Sequence, residues 1–555
     1  MKGSINKMKE ITFDGLTADE IACSVCETGD ITPESYADYD IVVVGAGAAG
    51  VPAAGWAAEL GAKVALLQKE PAIVSQGNCG SAIIKSRSTE AGIAKWIHHT
   101  NGLCDWRADT KQLRAYADYS EEAMMWFWNR AGMTKETEYG DGSKVDNNKE
   151  SAKLLNDGNG LCAFLSTSGD FTGVWKDREN SYDYGDDHCY FWAPWVGPKP
   201  KNVGNALKNI VDNIQKTHDN LELFLNTPAV KLVKENGRVT GVIAKNAEGK
   251  YIQFNAAKAV ILATGDYTNN PAMAERWCPD IKDFDKKQFG KTGDGHIMAI
   301  SAGAEMEPLG HTKMMHDFDS ALMWEEPFLY VNMEGERFTN EYTGFVYMGN
   351  ILRNQPSYKG SMLDAEHRDT GSKGWYCTIY DSDYVNWDKD SFVSGMVPPA
   401  VMEKFIPGAV EDPKGVFKNL IDLHRCDTLD ELAQELDIPA DKLKASVERY
   451  NQLCEKGCDT DFGKPAKYLH KIAKPPFWGA RKHIRVSAEV SGVMTNENAQ
   501  ALDAQGKPIP GLYCAGNLGG PFYGGADYPF HQTGLSLGRC YTFGMIAAKH
   551  ALGKL

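Results

Sequence analysis

The feature that most constrains the fold of this chain is a glycine-rich turn between an apolar run and a stretch of small residues. The apolar run Asp40-Ile-Val-Val-Val44 precedes Gly45-Ala-Gly-Ala-Ala-Gly50, and Lys63-Val-Ala-Leu-Leu67 forms the next apolar run. This order predicts a strand, a tight turn, a helix and a second strand. We therefore predict an α/β domain of the Rossmann type.

Each glycine of the turn has its own task in a dinucleotide-binding site. Gly45 permits the tight turn, Gly47 lets backbone amides approach a pyrophosphate, and Gly50 lets the helix lie close to the strand. Ala48 and Ala49 lie at the start of the helix, whose N-terminus offers partial positive charge to a phosphate. A glycine-rich turn without a ligand is the alternative, but the flanking strand and helix favour binding.

The end of the second strand is where such domains place an acidic residue that binds the adenosine ribose. Here the sequence has Gln68-Lys69-Glu70. Gln68 can accept a hydroxyl hydrogen bond through its amide oxygen, but it carries no charge. Glu70 is the second candidate, and a solvated strand end without a ligand is the remaining interpretation.

Length and charge exclude several classes of protein. A chain of 555 residues is too long for one compact core and predicts two or three domains. The formal net charge of −15 argues against binding to nucleic acid or to an anionic membrane surface. No apolar run approaches the roughly 20 residues of a membrane span. Because the N-terminus has no apolar signal core, we expect a cytoplasmic location.

The cysteines give no indication of a metal site. There are 13, scattered along the chain, which is typical of a reducing compartment with free thiols. Cys23-x-x-Cys26 is followed by Glu27 and has no second pair, so neither haem attachment nor a zinc or iron–sulfur site is predicted. We interpret Asp186-Asp-His188 as a loop, because adjacent residues rarely converge on one ion. No metal is expected.

Further segments resemble one enzyme superfamily. They are Ala263-Thr-Gly265 after a buried run, Thr292-Gly-Asp-Gly-His296 before a helical stretch, and Gly511-Leu-Tyr-Cys-Ala-Gly-Asn517. Glu334-Gly-Glu-Arg-Phe-Thr-Asn-Glu341 matches the cap-domain motif of the same superfamily. In this order, from about residue 39 to 548, the motifs resemble the flavoproteins of the fumarate reductase and succinate dehydrogenase superfamily.

The resemblance implies a Rossmann-type FAD-binding domain in two chain segments with an inserted α+β capping domain. We expect an N-terminal arm at 1–35, FAD-binding segments at 36–306 and 486–555, and the cap at 307–485, with substrate between flavin and cap. FAD is expected to bind non-covalently, because no attachment segment is visible. Besides the turn and Gln68, the expected FAD contacts are Lys69, Ser75, Gln76, Gly77, Asn78, Ser81, Val230, Ala263, Thr264, Gly265, Asp294, Gly516, Asn517, Ser536 and Leu537.

Periodicity predicts the main elements around these motifs. We expect helices at 121–131, 205–217, 297–304 and 533–550, a meander of strands between 221 and 254, and a buried strand at 259–263. Residues 135–203 are predicted to form long loops. Residues 307–485 contain few strand signals, and residues 1–35 are polar and unperiodic.

The C-terminal segment is most similar to the 3-ketosteroid dehydrogenases of this superfamily. It reads Gly524-Gly-Ala-Asp-Tyr-Pro-Phe-His-Gln-Thr-Gly-Leu-Ser-Leu537, and Tyr528 stands where those enzymes hydrogen-bond the steroid ketone. Fumarate reductases place a carboxylate-binding arginine where this chain has His531. They also carry a histidine segment where this chain has Ser487-Ala-Glu489. Both dicarboxylate clamps look absent, so a dianionic substrate would lack charged partners.

The position of the proton donor also departs from the relatives. Fumarate reductases have an arginine, and 3-ketosteroid dehydrogenases a tyrosine, where this chain has Phe345, which can transfer no proton. Tyr342, Tyr347 and His531 are the candidates for the role. Core packing with a satisfied hydroxyl is the alternative for each tyrosine.

Other polar and aromatic residues have two interpretations each. His311 and His316 follow the 297–304 helix, where relatives carry a substrate-facing histidine, and we interpret both as structural. The aromatic groups at 126–128 and 190–195 could line an apolar substrate pocket, pack in the core or form a subunit contact.

Together these features favour an FAD-dependent oxidoreductase that acts on a C=C or CH–CH bond next to a ketone. The substrate would be a large apolar enone, such as a 3-oxo-Δ4 steroid or a bile acid, exchanging hydride with flavin N5. The alternative is a reductase of small unsaturated acids such as fumarate, urocanate or acrylate. A non-enzymatic electron-transfer subunit is disfavoured by the cap motif. Exact substrate, direction, stereochemistry, electron partner and oligomeric state do not follow from the sequence.

Overall fold

The computed structural model describes residues 11–12, 15–77, 79–133, 170–171, 187, 189–193, 196, 202–308, 310–315, 317–319, 323, 326–343, 347–359, 371–393, 395–409, 422–525, 527–532 and 534–555. Its strands are β1 (Ile11–Thr12), β2 (Leu16–Thr17), β3 (Ser35–Val44), β4 (Val64–Leu67), β5 (Ala82–Ile83), β6 (Asp170–Phe171), β7 (Phe191–Trp192), β8 (Leu221–Phe224), β9 (Ala229–Glu235), β10 (Arg238–Lys245), β11 (Tyr251–Leu262), β12 (Lys313–Met314), β13 (Asp317–Asp319), β14 (Leu329–Val331), β15 (Trp375–Asp381), β16 (Leu423–Cys426), β17 (Phe477–Arg485), β18 (Ala488–Glu489), β19 (Val493–Met494), β20 (Gln500–Leu502), β21 (Pro508–Cys514) and β22 (Gly519–Gly520).

The α-helices are α1 (Ala18–Ala22), α2 (Gly50–Glu59), α3 (Glu90–Leu103), α4 (Thr110–Arg130), α5 (Val203–Gln215), α6 (Pro271–Trp277), α7 (Asp294–Ser301), α8 (Met348–Leu352), α9 (Pro399–Met402), α10 (Leu429–Glu435), α11 (Ala440–Lys456) and α12 (Leu535–Ala551). Short 3₁₀ turns lie at Lys85–Arg87, Pro279–Ile281, Glu341–Thr343, Ser382–Asn386, Lys389–Ser391, Glu403–Phe405, Ala466–Tyr468 and Gly516–Leu518. The loops expected at 135–203 lie mostly outside the described residues.

The main sheet combines strands from the two ends of the chain. Its order is β20-β21-β11-β3-β4-β8, with β10 paired to β11 and β9 paired to β10. Strands β21, β11, β3, β4 and β8 run parallel. Helix α2 makes the crossover from β3 to β4, as parallel neighbours require. The arrangement confirms the predicted mixed α/β fold, and the carboxyl ends of β3, β11 and β21 meet at one edge.

Small residues let the helices pack closely on this sheet. Almost all of α2 is buried. A Cβ at Gly55 would lie 2.7 Å from atoms of both Trp126 and Ile214, so α4 and α5 approach the α2 backbone directly. A Cβ at Gly544 would lie 2.2 Å from the Ala49 carbonyl oxygen, which shows the same close approach by α12. Helix α2 is therefore in close contact with α4 and α5 at Gly55 and with α12 at its N-terminus.

A second sheet lies within residues 317–485. Few strand patterns are recognisable in the sequence of this region. Its order is β13-β17-β15-β14, with β16 also paired to β17, and all the pairs are antiparallel. Leu432 of α10 and Leu443 of α11 contribute to a core on this sheet. The weak strand signals of this region therefore understate its strand content. All seven residues of β15 are buried, so the polar–apolar alternation that identifies a half-exposed strand is missing.

Three local predictions need correction. The strands expected at 250–254 and 259–263 are one strand, β11, interrupted by a register shift between Ala256 and Ala259. Helix α4 begins at Thr110, well before the predicted 121, because the Asp109 side chain caps it. The N-terminal arm contains α1, which has a capping box formed by Thr17 and Glu20.

Among the described residues, no helix combines the length and the apolar character that crossing a membrane requires.

Candidate active site

The glycine turn has the geometry that the sequence predicts. Gly45 has a φ of 101°, and a Cβ there would lie 2.4 Å from the Ala263 carbonyl oxygen. A Cβ at Gly50 would lie 1.7 Å from the Gly45 carbonyl oxygen. Gly47 differs, because no described atom lies within 4 Å of the position its Cβ would take. Gly45 and Gly50 are thus required by the protein backbone itself, whereas the space beside Gly47 is open for a ligand.

The other predicted motifs converge on this turn. Ala263 and Thr264 follow β11, and a Cβ at Gly45 would contact both. Gly516 lies in the turn after β21, where its φ is 75° and a Cβ would lie 2.9 Å from the Ala49 Cβ. Segments from the two ends of the chain therefore form one cradle. Gly265 and Asn517 continue these two turns.

The 75–81 loop forms the side of the cradle that faces the C-terminal helix. The Gln76 side-chain amide donates to the Ser487 carbonyl over 2.7 Å. A Cβ at Gly77 would lie 2.8 Å from Leu537 in the first turn of α12. Ser75 lies beside the start of α5, and Asn78 is outside the described residues. Ser81 is fully buried, with its hydroxyl 3.1 Å from the Tyr116 hydroxyl.

The end of β4 lies at a cavity lined by Val25, Val44, Gly45, Leu67, Gln68, Lys69, Thr227, Pro228, Ala229, Thr264, Asp294 and Met298. The Gln68 side-chain amide nitrogen donates to the Ala72 carbonyl over 3.2 Å, and its oxygen accepts from the Lys69 backbone amide over 3.1 Å. The acid at this cavity is Asp294, whose carboxylate lies 2.8 Å from Lys69 Nζ. Val230 adjoins the lining residue Ala229. The Gln68 side chain thus hydrogen-bonds within its own loop.

The donor groups of this cradle fit an FAD molecule. No described side chain caps the N-terminus of α2, and its first turn contains no acidic residue. The amides of that turn can therefore meet a pyrophosphate. The Thr264 hydroxyl and the Gln76 side-chain oxygen are buried without a hydrogen-bond partner among the described atoms. Buried polar atoms of this kind are normally paired, so a ligand that offers partners is expected here.

Tyr528 lies buried at the other end of the site. Its phenol oxygen accepts a 2.9 Å hydrogen bond from the Ser536 backbone amide, in the first turn of α12. The Tyr523 ring packs edge-on against Tyr528 with ring centroids 5.2 Å apart, and the Arg539 guanidinium lies 4.9 Å from the Tyr523 ring centroid. Burial raises the pKa of Tyr528 well above its ordinary value. Tyr528 is therefore a neutral hydrogen-bond donor at physiological pH.

His531 lies against helix α3. Its Nε2 is 2.9 Å from the Thr100 hydroxyl, and its ring packs edge-on against His99 with centroids 5.3 Å apart. Burial, together with His99, lowers the pKa of His531 to about 3. His531 is thus neutral at pH 7 and cannot replace the arginine that clamps a carboxylate in fumarate reductases.

The three proton-donor candidates have different surroundings. Tyr342 stacks on Tyr468 with ring centroids 4.5 Å apart. Tyr347 is 45% exposed and immediately precedes α8, in which Asn350 donates a hydrogen bond to Asp527. That contact places α8, and with it Tyr347, beside the segment that contains Tyr528. The Tyr342 ring, in contrast, packs against another ring. Phe345 and His316 lie outside the described residues.

The cap motif contains a buried ion-pair network. Arg337 donates to Glu341 and to Asp459 over distances of 2.8 Å each, and its side chain is only 6% exposed. Lys464 Nζ lies 3.4 Å from Glu341 in the same network. These residues hold the 337–341 turn against the segment after α11.

Burial shifts the pKa of several titratable groups near these turns toward their neutral forms. His311 is buried, with Nδ1 2.7 Å from the Tyr267 hydroxyl and Nε2 3.1 Å from the Glu307 carbonyl oxygen. Burial lowers the pKa of His311 to about 4 and that of His296 to about 3. It raises the pKa of Glu307 to about 7 and that of Glu489 well above its ordinary value. Both histidines are therefore neutral at pH 7, and burial favours the protonated forms of both carboxyl groups.

The predicted aromatic pocket is core packing where it is described. Trp126 stacks on Trp56, and Phe127 stacks on Tyr541, all on packed helices. Within the described residues, no group of three or more histidines, cysteines or acids could hold a metal ion. Cys23 and Cys26 are free thiols.

The sequence interpretation missed three residues of the site. Arg539 is a buried cation in the otherwise small and apolar helix α12, and it donates to the Gly516 and Val490 carbonyls over 2.8 and 3.1 Å. That unusual arginine was a signal available in the sequence. Tyr523 and Val25 have no such signal, because their roles depend on distant segments that the fold brings together.

The fold and the cradle define an FAD-dependent oxidoreductase. The chain belongs to the family described as "FAD binding domain", whose model matches residues 40–528. The match confirms both the FAD cofactor and the enzyme class, and it confirms the predicted superfamily.

The curated relatives act on several types of substrate. The chain is 27% identical to vinyl phenol reductase from Lactiplantibacillus plantarum, over 94% of this chain and 98% of that protein. It is 28% identical to urocanate reductase from Eggerthella lenta, over 93% and 74%. It is also 28% identical to 3-oxosteroid 1-dehydrogenase from Mycobacterium tuberculosis, over 65% and 64%. The chain is accordingly an oxidoreductase that acts on carbon–carbon double bonds. Because these relatives differ in substrate, they do not identify the particular substrate of this chain.

Two solved structures share the fold. The open conformation of a flavocytochrome c3 fumarate reductase matches with a TM-score of 0.62 and 21% identity, over 94% of this chain and 79% of that one. The 3-ketosteroid Δ1-dehydrogenase of Sterolibacterium denitrificans matches with a TM-score of 0.60 and 22% identity, over 93% and 100%.

Proposed function

We propose that this protein transfers hydrogen across a carbon–carbon bond conjugated to a ketone. The substrate would be an apolar enone, such as a 3-oxo-Δ4 steroid or a bile-acid derivative. The observation that carries the proposal is Tyr528, a buried neutral donor beside a neutral His531. A ketone needs a neutral donor of this kind, whereas a dicarboxylate needs cations.

The FAD molecule would lie in the Rossmann-type cradle, held non-covalently. The Gly45–Gly50 turn would bind the pyrophosphate, and the 75–81 loop, the Thr264 and Gly516 turns and the start of α12 would surround the ring. Bound FAD supplies hydride exchange with the carbon β to the ketone. We propose further that residues 307–485 form an α+β cap that covers the substrate.

Tyr528 would hold the ketone oxygen through its hydroxyl hydrogen. Negative charge develops on that oxygen as the enolate forms, and a positioned donor stabilises it. The Ser536 amide donates to the same phenol oxygen, which polarises the hydroxyl and strengthens it as a donor. Arg539, beside Tyr523, adds positive charge behind the tyrosine pair.

The proton at the α-carbon would be exchanged by Tyr347. Its ring is 45% exposed, and the contact between Asn350 and Asp527 ties its helix to the Tyr528 segment. A hydroxyl in this position can pass a proton between substrate and water. Tyr342 is the weaker candidate because its ring stacks on Tyr468. His531, with its lowered pKa, is a poor base.

A second candidate substrate is a vinylphenol. The relative from Lactiplantibacillus plantarum covers nearly the full length of both proteins. A vinylphenol is neutral, so, like a ketone, it needs no cationic clamp in the site. Small unsaturated acids, the substrate class of the urocanate relative, are disfavoured by the neutral His531 at the position of the carboxylate-binding arginine.

The test is a comparison of substrates on one enzyme preparation. The FAD-loaded protein is reduced chemically without oxygen and mixed with a 3-oxo-Δ4 steroid, 4-vinylphenol, urocanate or fumarate, and flavin reoxidation is followed by its visible absorbance. We expect rapid reoxidation with the steroid. Rapid reoxidation with 4-vinylphenol instead would support the second candidate, and reoxidation by the acids alone would overturn the proposal.

A further inference from the structure

The N-terminal arm, residues 15–34, crosses the cavity at the end of β4. Val25 is one of the residues that line this cavity, together with Gly45, Gln68 and Asp294. In dinucleotide-binding folds the adenosine ribose lies at the end of the second parallel strand, which here is β4. The arm therefore passes over the place where the adenosine half of FAD is expected.

The arm is hydrogen-bonded to the walls of this cavity. The Val25 backbone amide donates to Asp294 Oδ1 over 3.2 Å, and the Cys26 thiol donates to the Asp294 carbonyl over 3.3 Å. The Glu27 amide donates to the Val230 carbonyl over 3.0 Å. Three consecutive residues of the arm thus bond to two different walls.

The arm is also fixed on both sides of the cavity. Before the crossing, Glu20 is fully buried and pairs with Arg276 at 3.1 Å. After the crossing, the Glu27 carboxylate accepts from the Tyr251 hydroxyl over 2.8 Å, and Lys231 donates to the Gly29 carbonyl over 2.9 Å. Because both ends are anchored, Val25 has little freedom to leave the cavity.

The arm orients Asp294, which could replace the acidic residue that is missing at the end of β4. Gln68 occupies the usual position of the ribose-binding acid, but its amide hydrogen-bonds within its own loop. Asp294 reaches the same cavity from the start of α7. Its Oδ1 accepts from the Thr292 hydroxyl over 2.7 Å and from Val25, and its Oδ2 accepts from Lys69.

We propose that residues 24–27 are part of the FAD site. Val25 closes over the adenosine, and its amide holds the Asp294 carboxylate in place to bind the ribose hydroxyls. The arm slows FAD release, because the adenosine cannot leave until the arm lifts from Asp294 and Val230. This inference concerns cofactor retention and is independent of the substrate.

The central experiment measures the rate of FAD release from the full-length holoenzyme after dilution, by recovery of flavin fluorescence. Val25→Pro removes the amide hydrogen and should speed release about tenfold, the equivalent of one lost hydrogen bond to a charged group. Val25→Ala keeps the amide and is the matched control, with a much smaller effect. Tyr251→Phe loosens the anchor outside the cavity and should give an intermediate increase.

Hydrogen exchange provides a second measurement that needs no variant. The amides of residues 24–27 should exchange more slowly with FAD bound than in the apoprotein, while the β9–β10 turn should not change. Equal release rates in all variants and no FAD-dependent protection of the arm would overturn the proposal. If Val25→Pro does not fold, Tyr251→Phe and the exchange data decide the question.

Discussion

The glycine turn and the surroundings of Tyr528, the proposed substrate end, are built differently. At the turn, backbone contacts dictate the residues, since a Cβ at Gly50 would lie 1.7 Å from a carbonyl oxygen. Around Tyr528, side chains set the chemistry: Tyr528 bonds to Ser536, and His531 bonds to Thr100. Side chains can be exchanged without rebuilding the backbone. The cofactor end is thus fixed by backbone geometry, whereas the chemistry of the substrate end can vary through its side chains.

The largest effect is expected at the cofactor end. Gly47→Asp should abolish FAD binding, because a carboxylate beside the pyrophosphate would crowd and repel it. The apoprotein should still fold, since no described atom lies near that Cβ position. Visible flavin absorbance per purified protein measures the loss. Gly47→Asn, which has nearly the same size but no charge, is the control and should lose less affinity for FAD. Full flavin occupancy in Gly47→Asp would refute this account of the turn.

Breaking the Arg337 ion-pair network should lower the free energy of unfolding without reducing FAD binding. Asp459→Asn leaves Arg337 buried with one charged partner fewer, which costs about 3 kcal/mol for a buried pair. Asp461→Asn removes a solvent-exposed pair with Arg449 and should cost much less. Urea unfolding midpoints compare the two variants, and flavin absorbance reports FAD retention. Equal midpoints would show that the Arg337 network is not important for stability.

A catalytic effect without loss of cofactor is expected at the substrate end. Tyr528→Phe removes the proposed donor to the ketone and should lower turnover of a 3-oxo-Δ4 steroid roughly 100-fold. Flavin absorbance should be unchanged. Tyr541→Phe is the control, because that hydroxyl is buried on α12 without a hydrogen-bond partner among the described atoms. Similar steroid turnover in both variants would remove Tyr528 from the mechanism.

The last effect concerns pH and is small near neutrality, because it develops only on acidification. The pKa of His531 is lowered to about 3 in the folded protein, whereas an unfolded histidine titrates near 6.5. Below about pH 6.5 the unfolded state binds a proton that the folded state does not, so stability falls as pH falls toward 3. The limiting slope is about 1.4 kcal/mol per pH unit for one such group.

His531→Asn should reduce this acid sensitivity, and melting temperatures measured from pH 7 to 4 provide the test. His218→Asn, on the surface of the protein, is the control. If His531→Asn leaves the pH dependence unchanged, folding does not lower the pKa of His531, and its imidazolium would be available to bind carboxylates below about pH 6.5.

The sequence was sufficient to predict the parts of the molecule that depend on neighbouring residues. The strand, turn and helix around Gly45 follow from local periodicity and glycine placement, and the structure confirms them. The buried strand β15 and the role of Arg539 were missed, since each depends on contacts between distant segments. The role of Gln68 shows the same limit: the strand end was identified, but its internal hydrogen bonds were not. The roles proposed for Tyr528, Tyr347 and the cap remain predictions.

The pairing of β11 with β21 has a consequence for biosynthesis. Val260 pairs with Leu512, and α12, which packs on the first turn of α2, follows near the end of the chain. A growing chain on the ribosome therefore carries the glycine turn long before it carries the strand and helix that complete the cradle. Until then the edge of β11 is unpaired, which exposes it to aggregation. Cofactor capture must therefore wait until β21 and α12 have been synthesised, and a chain truncated before β21 would fail to acquire its flavin.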